Sequence, residues 1–92
     1  MGAHNLKHLS VNLSKEGYSL ILDVPKDQNQ NDKPHWYLYK DNERVARINW
    51  NAYWEEKPSS LELSIAQEVE RTTIEYSPLI REYYYYNQSH SA

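Results

Sequence analysis

The chain has no cysteine and no phenylalanine, and only two glycines and one methionine among its 92 residues. Without Cys there is no disulfide framework, thiolate zinc site or thiol nucleophile, and a reducing compartment suits the chain. Glycine occurs only at Gly2 and Gly17, so neither a phosphate-cradling Gly-rich loop nor a Gly-x-Ser-x-Gly elbow can be written. No apolar run approaches the roughly 18 residues of a membrane span. Met1-Gly2-Ala3-His4-Asn5 has neither the apolar core nor the cleavage pattern of a signal peptide. His4 and His8 have the spacing of a helical metal pair, but no third ligand accompanies them. The expectation is a cytoplasmic protein without membrane attachment, cofactor or catalytic activity.

The aromatic content is nine Tyr and three Trp. Each has a large apolar body and a polar tip, which suits surfaces that are covered part of the time. They cluster in His35-Trp36-Tyr37-Leu38-Tyr39, around Trp50 and Tyr53-Trp54, and in Tyr83-Tyr84-Tyr85-Tyr86. Charge is divided as well. The formal net charge is −3, and residues 51–92 hold three Lys/Arg against seven Asp/Glu.

Apolar residues at every second position mark Leu9 to Leu13 and Tyr18 to Val24 as strands with one buried face. Pairing Leu13 with Tyr18, Val11 with Leu20 and Leu9 with Leu22 puts all six on that face, and Gly17 permits the turn. A second hairpin spans His35 to Trp50. A three-residue turn at Asp41-Asn42-Glu43 pairs Leu38 with Ala46 and Trp36 with Ile48, so Trp36, Leu38, Ala46, Ile48 and Trp50 share one face. Tyr37, Tyr39, Val45 and Arg47 take the other.

Asn51 to Ser60 reads as a connector. Ser59 or Ser60 is the expected N-cap of a helix beginning near Leu61, with Leu61, Ile65, Val69, Thr73 and Tyr76 as its apolar stripe. The alternation Leu61-Glu62-Leu63-Ser64-Ile65 also permits a short strand. Ser77-Pro78 repeats a helix-start signature. The expected fold is α+β: a four-stranded, mostly antiparallel β-meander with a C-terminal helix, or two short helices kinked at Pro78, packed on one face. Residues 1–92 form one domain, with 1–5 and 88–92 disordered and 25–34 a mobile loop. The expected core is Leu9, Val11, Leu13, Leu20, Leu22, Trp36, Leu38, Ala46, Ile48, Trp50, Leu61, Ile65, Val69 and Ile80.

Four successive Tyr cannot all face one core. Tyr83 and Tyr86 are expected to pack inward with Leu79 and Ile80, leaving Tyr84 and Tyr85 for a partner. Tyr83, Tyr84, Tyr85 and Tyr86, with Glu68, Glu75 and Glu82, are the candidate interface of a small acidic protein-binding module. Its partner would be another protein with a basic surface, and the module would be of the stoichiometric-inhibitor or antitoxin-like type that phages and mobile elements encode. A second reading is single-stranded nucleic-acid binding through Tyr37, Tyr39, Lys40, Arg44 and Arg47, with rings stacking bases between cations. The acidic C-terminal half disfavours it. A third is a homodimer or larger homo-oligomer built through the tyrosine-rich end.

Overall fold

In the computed structural model the residues described are 9–25 and 33–90, with side chains as far as Tyr83. Residues 1–5 and most of the 25–34 loop, both expected to be mobile, lie outside that range. The strands are β1 (Ser10–Asn12), β2 (Tyr18–Asp23), β3 (His35–Lys40), β4 (Glu43–Asn49) and β5 (Trp54–Glu56), followed by one helix, α1 (Leu63–His90). Every strand pairs antiparallel with its sequence neighbour, giving the sheet order β1-β2-β3-β4-β5. This is the expected α+β meander with one strand more.

The first hairpin has the predicted register. Val11 faces Leu20, the Leu13 N–H donates to the Tyr18 carbonyl, and the Leu22 N–H donates to that of Leu9. Gly17 turns the chain at φ 92°, and its carbonyl accepts the Asp41 N–H, so this turn rests against the β3–β4 turn.

The second hairpin keeps the predicted inner face but not the predicted turn, and Val45, expected on the outer face, packs partly buried against the core. Trp36 opposes Ile48 and Leu38 opposes Ala46, whereas Tyr39 opposes Arg44 and Lys40 opposes Glu43. Two requirements conflict here. Asp41 and Asn42 both take positive φ, 50° and 70°, which favours a two-residue hairpin turn. Burial requires Trp36 and Ile48 on the same face. A bulge that leaves Val45 as the extra residue satisfies both.

β5 lies within the segment read as a connector. Asn49 builds the turn into it. Its side-chain oxygen accepts the N–H groups of Asn51 and Tyr53, and its own N–H donates to the Tyr53 carbonyl. Ala52 completes the turn at φ 71°. Neither Gly nor Pro announces it.

The helix also differs in detail. The Leu61 N–H closes a turn onto the Pro58 carbonyl, so Ser59 and Ser60 lie in that turn and do not cap the helix. The first helical bond runs from the Ala66 N–H to the Glu62 carbonyl. Residues 61–65 form no strand. Leu61 packs on the core from the turn ahead of the helix. α1 then continues through Pro78 to His90 as one helix of 28 residues, replacing the alternative of two short helices and a frayed end from residue 88.

The core sits between the inner sheet face and α1. Leu20, Leu22, Trp36, Leu38, Ala46 and Ile48 meet Ile65, Val69 and Ile80, while Leu9, Val11, Leu61, Tyr76 and Tyr83 pack around them. Thr73 is buried in the same stripe, and its hydroxyl donates back to the Val69 carbonyl. The Trp36 and Tyr76 rings lie 5.8 Å apart. The buried Trp36 indole N–H meets no acceptor among the described residues. Among these residues no helix is long and apolar enough to cross a membrane.

Candidate protein-contact surface

The outer sheet face and the outer side of α1, with the β4–β5 turn beside it, are open among the described residues. On the sheet, Ile21 faces Tyr37, Tyr37 faces Arg47, and Tyr39 faces Arg44. The Arg44 guanidinium lies 4.6 Å from the Tyr37 ring centroid. β5 supplies both guanidiniums with carboxylates. Arg44 Nη2 donates to Glu56 at 2.8 Å, and Arg47 Nε donates to Glu55 at 2.7 Å. The Glu55 bond is the main cause raising the Arg47 pKa above its ordinary high value. His35 Nε2 lies 3.1 Å from the same Glu55 oxygen. Thus Tyr37, Tyr39, Arg44 and Arg47 do share a face, but its two arginines are already matched by acids. Lys40 does not join them. Its register puts it on the inner face, with its ammonium 5.5 Å from the Tyr18 ring centroid.

The acidic residues of the second half divide in two. Glu68, expected at the interface, instead ties α1 to the β1–β2 turn. Its carboxylate accepts the Ser14 hydroxyl at 2.7 Å and the Ser14 N–H at 2.9 Å. These bonds, the hydroxyl first, hold its pKa below the usual carboxylate range. Glu62 pairs with Lys15 across the same flank. The hydrogen bond between them lowers the pKa of Glu62 and raises that of Lys15. On the opposite flank, Glu70 accepts the Trp54 indole N–H at 2.7 Å. Five of the seven carboxylates of residues 51–92 (Glu55, Glu56, Glu62, Glu68 and Glu70) therefore serve the fold. Glu75 and Glu82 are exposed, and no contact joins either to another described side chain.

Tyr83 packs partly buried against the core, as expected, whereas Leu79 is 36% exposed and does not go inward with Ile80. Tyr84, Tyr85 and Tyr86 lie on α1, but their side chains fall outside the described residues.

Sequence reasoning missed the apolar groove beside Glu82. Ile74, Ser77, Pro78, Arg81 and Glu82 form its helical wall, and Asn51 and Ala52 form the other, around a volume of about 490 Å³. Ile74 is 61% exposed, and Tyr53, the chain neighbour of Ala52, is 69% exposed. Arg81 spans the groove's end, with Nη2 donating to Asn51 Oδ1 at 3.1 Å and its guanidinium 5.9 Å from the Trp50 ring centroid. The available signal was Ile74 itself, an apolar residue off the helical stripe and four positions before a helix-interior proline. Among the described residues no group of three or more His, Asp or Glu is placed to hold a metal ion. Compared with protein-family models, with curated proteins and with solved structures, the chain matches none.

Proposed function

We propose that the chain is a non-catalytic protein-binding module that meets its partner with the outer side of α1 and the adjoining β4–β5 turn. The observation that carries this reading is the exposure of large apolar side chains away from the core. Leu63 is 70% and Ile74 61% exposed, where a helix needing no partner would carry Lys, Glu or Gln. Glu75 and Glu82 lie near Ile74 on α1 without partners among the described residues, so the complementary surface is basic. A module that covers such a surface one-to-one acts as a stoichiometric inhibitor or antitoxin-like protein, the type encoded by phages and mobile elements.

Site-specific photo-crosslinking in the native host tests this. A crosslinker at Gln67, on the outer side of α1, should capture one protein. A crosslinker at Ile21, on the outer sheet face, should not. Capture only from position 21, or none from 67, removes the helix from the account. Nucleic-acid binding through Tyr37 and Tyr39 would appear as oligonucleotide adducts at position 21. The acidic partners of Arg44 and Arg47 argue against it. Self-association would appear as adducts between two copies of this chain.

A further inference from the structure

We infer that the groove between the β4–β5 turn and the middle of α1 is the seat of binding, and that it takes a partner segment bearing an aliphatic side chain with a Lys or Arg beside it. This rests on the protein-binding reading above and specifies its ligand.

The groove offers an apolar floor. Ile74, the Pro78 ring and the Ala52 methyl line it together. Two of these residues are poor choices for the fold alone. Pro78 stands inside a helix, where a proline has no N–H to give the carbonyl four residues earlier. Ala52 holds a left-handed backbone conformation that glycine adopts without strain. Both therefore disfavour the fold locally, and both contribute apolar surface to one groove. Clustering of strained positions at a contact site is the pattern that function produces.

The groove also has a polarity. The Ile74 carbonyl lacks its helical donor because residue 78 is proline. The Glu82 carboxylate lines the wall, and Glu75 is exposed next to Ile74 in the chain. These are acceptors and negative charges. Among the described residues the groove's cation is Arg81, which is held by Asn51 and lies near the Trp50 ring. An occupant must therefore bring donors and positive charge together with something apolar for the floor. A Lys or Arg next to Leu, Ile, Val or Met meets all three demands, whereas an acidic segment would face uncompensated repulsion.

The test is selection of short random peptides, displayed on phage, against the folded full-length chain, followed by fluorescence anisotropy on the enriched sequences. Enriched peptides should share an aliphatic residue adjacent to Lys or Arg. Their affinity should fall about tenfold or more in Glu82→Lys and in Pro78→Ala, and stay unchanged in Tyr37→Ala. Pro78→Ala is the decisive variant, because it restores the missing N–H and should melt at a higher temperature, so lost binding cannot be blamed on unfolding. Acidic or patternless peptides, no enrichment, or full affinity in both groove variants would overturn the proposal. If the protein captured from position 67 still binds those variants normally, only the groove falls. If position 67 captures nothing, the module reading falls with it.

Discussion

The Ser14–Glu68 contact ties the first half of α1 to the β1–β2 turn, and Glu68→Ala should loosen it measurably. Two hydrogen bonds, 2.7 and 2.9 Å long, end on one carboxylate. Charge-assisted bonds are worth about 1.5–3 kcal/mol in protected sites, but this one is open to water, so the pair together contributes about 1–2 kcal/mol. In a domain of 92 residues that lowers the melting temperature by roughly 5–12 °C. Near-ultraviolet circular dichroism follows the loss, since Trp36 and Tyr76 lie in the packed core.

The pH dependence discriminates this mechanism from loss of packing. The folded pKa of Glu68 lies below its ordinary value, so its contribution is fully present above the unfolded pKa of about 4.3 and disappears as pH falls through the folded value. The gap between parent and Glu68→Ala should therefore be widest near neutrality and close in acid. Glu68→Gln should lie between them at neutral pH. Its amide oxygen can accept the Ser14 N–H and its amide nitrogen can donate to the hydroxyl, so only the charge is lost. Equal melting of parent and Glu68→Ala at neutral pH, or a gap that persists in acid, would refute the argument.

Ala52→Gly should raise stability by about 0.5–1 kcal/mol in chemical denaturation, because the φ of 71° no longer carries a side chain. Trp36→Ala should cost about 3–5 kcal/mol and leave little folded protein. Trp36→Phe should stay within about 1 kcal/mol of the parent, since release of an unpartnered indole N–H offsets part of the lost volume; calorimetry reads both variants. Pro78→Ala should stabilise by about 1–3 kcal/mol, read as a shift of the urea midpoint.

Pattern sufficed where burial decides. Alternation placed Leu9, Val11 and Leu13 against Leu22, Leu20 and Tyr18, and it chose the face of Trp36 and Ile48 correctly, because a one-residue slip would turn the whole apolar set toward water. It did not reveal the bulge at Val45. Two hairpin solutions differing by one residue bury the same side chains, and turn chemistry at Asp41-Asn42 chooses between them. β5 escaped because its turn depends on the Asn49 side chain and on Ala52 in a conformation that Ala seldom takes. Glu68 was read as free because helix periodicity shows which residues leave the core, not which of them a neighbouring turn will engage.

Such engagement changes the character of the acidic half. Before the contacts are known, seven carboxylates on residues 51–92 read as a diffuse negative face. Folding distributes them unequally. Glu62 and Glu68 join the start of α1 to the β1–β2 turn, Glu70 joins it to Trp54, and Glu55 and Glu56 neutralise Arg47 and Arg44 on the outer sheet face. On the sheet two carboxylates offset two guanidiniums, while at the start of the helix Lys15 offsets Glu62 and neutral donors from Ser14 and Trp54 occupy Glu68 and Glu70. Among the described residues Glu75 and Glu82 are left, about two turns apart on α1, near Ile74 and Pro78. A partner drawn to the acidic charge of this protein is thus directed to the second half of α1, where the exposed apolar surface also lies. Glu75→Gln with Glu82→Gln should therefore weaken association that Glu55→Gln with Glu56→Gln leaves intact, although each pair changes the net charge by the same two units. Equal losses from the two double variants would mean that only total charge matters.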